Sequence, residues 1–162
     1  MNHRQVTLAI LPVAGLVTRL LPLTKSFPKE MLPVGRFPCV EHIVADLYDA
    51  GIRQILFVNS ADKQLIDDHF QRNHQLEDRL IVSGKKELAD QLVRGFVERK
   101  SCNSADHSTV QKGLGDAVLC GKKFIGKLPF TIALGDSIIH SKSKQRLMPR
   151  MIRQFNESKL IS

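Results

Sequence analysis

Five prolines (Pro12, Pro22, Pro28, Pro33, Pro38) and two glycines (Gly15, Gly35) fall between residues 12 and 38. That density excludes a helix or strand interior through the whole stretch. Just before it, Val6 to Pro12 (VTLAILP) is a short apolar run that reads as a buried strand feeding a glycine-containing loop. The segment from Val13 to Pro38 is therefore expected to be a long ordered loop or functional arm. Connections of that length inside a compact domain usually carry function.

Downstream, helical and extended patterns alternate. Cys39 to Ala50 places Val40, Ile43, Val44 and Leu47 at helical spacing, and Gly51 follows where a helix C-terminus expects it. Gln54 to Asn59 (QILFVN) is again a strand-like run, so strand, helix and strand compose a right-handed βαβ unit with a parallel sheet. Lys63 to Phe70 reads as the next helix. Gln75 to Lys100, with Leu80, Leu88, Leu92, Val93 and Phe96, reads as one or two amphipathic helices broken near Ser83-Gly84. Ser101 to His107 reads as a polar connection and Ser108 to Gln111 as a short strand. A helix begins with Asp116 to Cys120 behind Gly113-Leu114-Gly115. Phe130 to Leu134 is the clearest late strand, and it ends at Gly135-Asp136. That puts a carboxylate at the C-terminal edge of a parallel strand, where α/β sheets bind ligands. Lys144 to Phe155 reads as a terminal helix carrying Leu147, Met151 and Phe155 on one face.

Composition narrows the function. A chain of 162 residues that is 43% hydrophobic can bury one core but not comfortably two, so a single domain is expected. No apolar segment approaches the roughly 20 residues of a membrane span. The first residues lack a secretory pattern, so a soluble, cytoplasmic protein without a membrane partner is expected. Three scattered cysteines offer neither a disulfide framework nor a paired metal site. A net charge of +8 suits a polyanion, but no Trp, one Tyr and dispersed basic residues disfavour nucleic acid. The basic group Lys142, Lys144, Arg146, Arg150 and Arg153 suits a polyanion but reads first as a solvated helix face.

The sharper information lies in the arm. Ala14-Gly15-Leu16-Val17-Thr18-Arg19, then Pro22, Thr24 and Lys25, then Pro28-Lys29-Glu30-Met31-Leu32-Pro33-Val34 resemble the sugar nucleotidyltransferase pattern AGxGTR, xxPxTK, PKEMLPV, in its bacterial-type UDP-glucose pyrophosphorylase form. Ala50-Gly51-Ile52, Gln54-Ile55 and Val58 resemble the AAGI-x-EIVxV stretch, and His69-Phe70 the NHF or DHF helix end; His69 reads as a helix-packing residue. Gln111 to Cys120 resembles RQ…GLGHAVLC, with a short deletion and with Asp116 where His is frequent.

The resemblance implies an α/β, Rossmann-like, mostly parallel sheet with flanking helices, covering a nucleotidyltransferase fold truncated at its C-terminal side. It implies that UTP and glucose 1-phosphate give UDP-glucose and pyrophosphate, the sugar phosphate oxygen attacking the α-phosphorus directly. Ala14, Gly15 and Thr18 would line the nucleotide, Arg19 and Lys29 would stabilise transferred charge, Gln111 and Gly115 would read the uracil edge, and Asp136 would hold Mg²⁺. The residue types suit those tasks. A glycine-containing turn lets backbone N–H groups approach phosphate, and phosphoryl transfer needs positioning and charge more than a protein nucleophile. The residues alone also admit plainer roles: surface cations for Arg19 and Lys29, a surface strand position for Gln111, and a turn-forming Asp136.

Departures matter too. Val17 replaces the second glycine of the phosphate loop, and Arg36-Phe37-Pro38 stands where Asp-Lys-Pro is common. The family's later VEKP-like sugar-phosphate motif and second metal aspartate have no counterpart before Ser162. The expectation is one nucleotide-binding domain over 1–162, incomplete at the C-terminus, with weak turnover alone. The alternative is a non-catalytic regulatory or binding partner of a full-length pyrophosphorylase, or a homo-oligomer.

Overall fold

Strand β1 (Leu8–Pro12) is apolar along nearly its whole length, and the fold explains why: it lies in the middle of a sheet covered on both faces. The computed structural model describes residues 5–13, 15, 18–59, 64–97, 102–106, 113–141 and 145–158. On one side β1 pairs with β4 (Gln54–Asn59), on the other with β6 (Phe130–Ile132), and β5 (Cys102–Asp106) lies beyond β4. All four strands run parallel in the order β5-β4-β1-β6, with Ile10 opposite both Leu56 and Ile132.

Because side chains alternate along a strand, β1 sends Ala9 and Leu11 to one face and Ile10 to the other. The first face meets Val40, Ile43, Val44 and Leu47 of α1 (Cys39–Asp49), Ile66 and Phe70 of α2 (Gln64–Phe70), and Ile152 of α7 (Leu147–Glu157). Phe57 stacks on Phe70 there, with ring centroids 4.8 Å apart. On the second face Ile10, Leu56 and Val58 meet Ala117 of α5 (Leu114–Cys120) and Ile125 of α6 (Lys122–Ile125).

The helical hairpin expected within 75–100 is present as α3 (His74–Val82) and α4 (Lys86–Val97), separated at Gly84, whose φ of +76° suits glycine. Asn73 caps α3, its side-chain oxygen accepting from the Leu76 N–H at 3.0 Å. Arg72 closes the same corner by donating a fork from Nε and Nη2 to the Glu77 carboxylate, and this holds Glu77 below the usual carboxylate range.

The proline-rich arm is ordered in pieces. Three short 3₁₀ turns, Thr18–Leu20, Leu23–Lys25 and Lys29–Met31, lead into a two-stranded antiparallel ribbon of β2 (Pro33–Val34) and β3 (Phe37–Pro38). Each turn is short enough for the prolines to fall at its borders.

Sequence and structure differ in three places. The segment read as a polar connection contains β5, whose Cys102 to Asp106 pairs with Ile55 to Asn59 of β4. An edge strand of this kind is held by its backbone ladder, so it needs none of the apolar patterning that marked the other strands. In α7, Met151 and Phe155 are exposed, while Ile152 and Met148 pack on the core. Adjacent rows of the helix both carry apolar residues at i, i+4 spacing, and the core takes the neighbouring row. The strand at Phe130 is shorter than expected, although the Ala133 N–H still donates to the Ile10 carbonyl at 3.1 Å. The strand expected over Ser108 to Gln111 lies outside the described residues.

Candidate functional site

The chain leaves β1, forms β4 and β5 on one side, and returns to form β6 on the other. The loops that follow β1 and β6 therefore lie side by side at the C-terminal edge of the sheet. Parallel α/β sheets bind ligands in the crevice at that edge. Three of the residues singled out in the sequence meet there. Lys29 Nζ lies 2.7 Å from Asp136 Oδ2. It also sits against Gly15, where a Cβ would lie 3.6 Å from the same ammonium.

Each of the three is placed by a separate element. Gly15 follows β1, whose run is prolonged by a bond of 3.0 Å from the Val13 N–H to the Val58 carbonyl. Lys29 sits in the third turn of the arm, and the arm is tied to α1 by a bond of 2.9 Å from the Cys39 N–H to the Leu32 carbonyl. Asp136 follows β6, and Gly135 before it leaves just enough room for Val13 and the Glu30 side chain. Glu30 itself is 1% exposed, a buried carboxylate directly behind the Lys29 turn.

Partial burial pushes the Asp136 carboxyl up. The Lys29 hydrogen bond and charge, its own backbone N–H and the Ser137 hydroxyl outweigh that, so it lies below the ordinary aspartate range. Asp136 is ionised at neutral pH. Cys39 responds in the opposite sense: burial first, then the negative charges of Asp136 and Glu30, push its thiol up. It stays a thiol, so the crevice presents an ammonium, a carboxylate and a close glycine backbone, without an activated sulfur nucleophile at Cys39.

The remaining sequence candidates are more dispersed. Thr18 and Arg19 occupy the first turn of the arm, with exposed side chains. Gly115 is the second residue of α5, also exposed, behind Gly113 at φ +98°. Ala14 and Gln111 lie outside the described residues. His69 joins α2 to α1, its Nε2 lying 2.8 Å from Oε2 of the largely buried Glu41. That is a packing role, as the sequence suggested. Sequence reasoning missed Glu30 and Gly135 as the packing that sets Lys29 against Asp136. The signal was a charged residue among apolar neighbours in Glu30-Met31-Leu32 and a glycine directly before the aspartate.

Among the described residues, no three His, Cys, Asp or Glu side chains converge as a metal cage. Asp136 offers a hard oxygen donor, the type that suits a divalent cation whose remaining ligands come from elsewhere.

A parallel α/β sheet that sets a lysine, an aspartate and a glycine together at the C-terminal edge of its strands belongs to the class of α/β proteins that bind ligands at that edge. Residues 8–160 match the nucleotidyl transferase family, and the chain belongs to that family. It is 40% identical to the UTP–glucose-1-phosphate uridylyltransferase of Bacillus subtilis, over 86% of this chain and 47% of that protein. It is likewise 40% identical to the Haemophilus ducreyi uridylyltransferase, over 92% of this chain and 51% of that protein. Among solved structures, UDP-glucose pyrophosphorylase from Acinetobacter baumannii superposes with a TM-score of 0.88 at 38% identity, covering 94% of this chain and 53% of that one. The UTP-bound form gives 0.87 at 39% identity. The chain thus spans about half the length of the relatives it matches. No described helix is long and apolar enough to cross a membrane.

Proposed function

We propose that this chain carries the nucleotide-binding machinery of a UTP–glucose-1-phosphate uridylyltransferase. The observation that supports this most is the Lys29–Asp136 pair, closed to 2.7 Å beside Gly15 at the C-terminal edge of the sheet. A uridylyl transfer requires a cation for the phosphates, a carboxylate for a divalent metal and a backbone close enough to hydrogen-bond phosphate oxygens, and these residues have those characters. In this reading Ala14, Gly15 and Thr18 line the triphosphate, Gln111 and Gly115 read the uracil, and Arg19 and Lys29 stabilise charge as pyrophosphate departs. Asp136 holds Mg²⁺, which would offset phosphate charge when bound. A sugar 1-phosphate oxygen is the attacking group, so no covalent protein intermediate forms.

The test is calorimetric titration of UTP with Mg²⁺ present, beside a pyrophosphate-release assay with UTP and glucose 1-phosphate. Saturable UTP binding that Asp136→Asn weakens supports the reading. No binding by the native chain overturns it.

A second reading rests on the sheet edge. Among the described strands β6 is an edge, and Ile132, Leu134, Ile138 and Ile139 around it are exposed. Such an edge suits association with another polypeptide, including a full-length uridylyltransferase. Co-purification with that enzyme, lost on Ile132→Lys, supports this reading, and its absence counts against it.

A further inference from the structure

We propose that Lys29 makes the site specific for a metal–triphosphate complex: its ammonium occupies the Asp136 carboxylate until phosphate oxygens draw it away, so that free metal is refused. This rests on the reading of the crevice as a nucleotide site and adds a rule for what enters it.

The geometry supplies the argument. At 2.7 Å, Lys29 Nζ takes the Asp136 Oδ2 position that a cation would need. A divalent ion arriving alone must displace the ammonium or sit beside it, and like charges at that range repel. Among the described residues, little else would hold such an ion. Oδ1 is engaged by the Ser137 hydroxyl at 3.3 Å, and the nearby carboxylate of Glu30 is buried against Gly135.

A triphosphate changes the balance. Lys29 already lies against Gly15, on the side where the loop after β1 would meet phosphate. Its ammonium has three donors on a flexible stem, and it can exchange one carboxylate oxygen for phosphate oxygens through side-chain rotation. The carboxylate so released is open to the metal that the phosphates bring. Metal and nucleotide then bind with positive coupling, and by linkage each tightens the other by the same factor.

The experiment measures Mn²⁺ binding by electron paramagnetic resonance, with and without UTP, on the native chain, Lys29→Met, Lys29→Gln and Asp136→Asn, each confirmed folded by circular dichroism. Without nucleotide, both Lys29 variants should bind Mn²⁺ about threefold to tenfold more tightly than the native chain, the range expected for removing a partly exposed competing charge. The tightening of Mn²⁺ binding by UTP should shrink in the same variants, and Asp136→Asn should bind Mn²⁺ no better than native. If the folded Lys29 variants bind Mn²⁺ alone no better than the native chain, the proposal is overturned. Failure of the native chain to bind UTP with metal present would overturn the nucleotide reading instead, and the metal-only comparison separates the two.

Discussion

A Cβ added to Gly135 would stand 2.7 Å from Cγ1 of Val13, closer than two carbons can rest. It would also lie 3.1 Å from Cγ of Glu30. Val13 is fully buried and β-branched, so it cannot swing aside as the end of a long side chain could. Gly135 is needed here for space. Gly135→Ala should lower stability by about 1–3 kcal/mol, the usual cost of overpacking, and should weaken nucleotide binding because Asp136 moves with it. Urea unfolding of both chains checks the first effect; an unchanged midpoint would mean that the loop yields freely.

The Lys29–Asp136 pair should show itself in the acid limb of stability. Asp136 titrates below its ordinary value of 3.8 in the folded protein. A depressed carboxylate contributes stability that is present above the unfolded pKa and is lost as pH falls through the folded one. The native chain should therefore exceed Asp136→Asn in stability by a constant margin between about pH 7 and pH 5, and the margin should close on further acidification. Unfolding midpoints followed from neutral pH down through the ordinary aspartate range check it. A margin that grew towards acid would mean that Lys29 does not hold the carboxylate ionised.

Much of this architecture was legible because local pattern and tertiary environment agree. Leu8 to Leu11 and Ile55 to Val58 are apolar on both faces and sit in the interior of a parallel sheet, and Val40, Ile43, Val44 and Leu47 face the core at the spacing that marked the helix. What escaped depends on contacts that no local window holds. Cys102 to Asp106 is a strand only because β4 offers it a ladder. The apolar row of α7 could have been either of two until the sheet selected Ile152 over Met151. The arm motif pointed to Lys29 and the strand end to Asp136, but only the order β5-β4-β1-β6 brings them together. Glu30 carries no role of its own in the motif match, and its burial against Gly135 follows from tertiary packing.

His69 provides a test that separates structure from chemistry. Its Nε2 lies 2.8 Å from the Glu41 carboxylate, whose side chain is 9% exposed, and its ring meets Phe70 edge-on. His69→Ala removes one partner of a largely buried acid and should cost about 1–3 kcal/mol of stability. UTP affinity measured well below the unfolding midpoint should be unchanged. A loss of affinity with stability intact would instead place the histidine in the site.

Val17 provides the complementary case, because its effects on folding and binding should have opposite signs. The AGxGTR pattern that this segment resembles has glycine there, and glycine permits positive φ and close approach of a phosphate. Val17→Gly should therefore tighten UTP binding, on the order of tenfold if about 1.4 kcal/mol of strain or obstruction is relieved. Glycine also frees the unfolded chain, so the same change should lower folding stability by about 0.5–1 kcal/mol. Calorimetry and urea unfolding of the one variant read both quantities. Tighter binding with weaker folding would identify residue 17 as a brake on the phosphate loop. Weaker binding with weaker folding would mean that this loop has adapted to valine, and that the chain takes its ligand in a way the glycine form of the pattern does not.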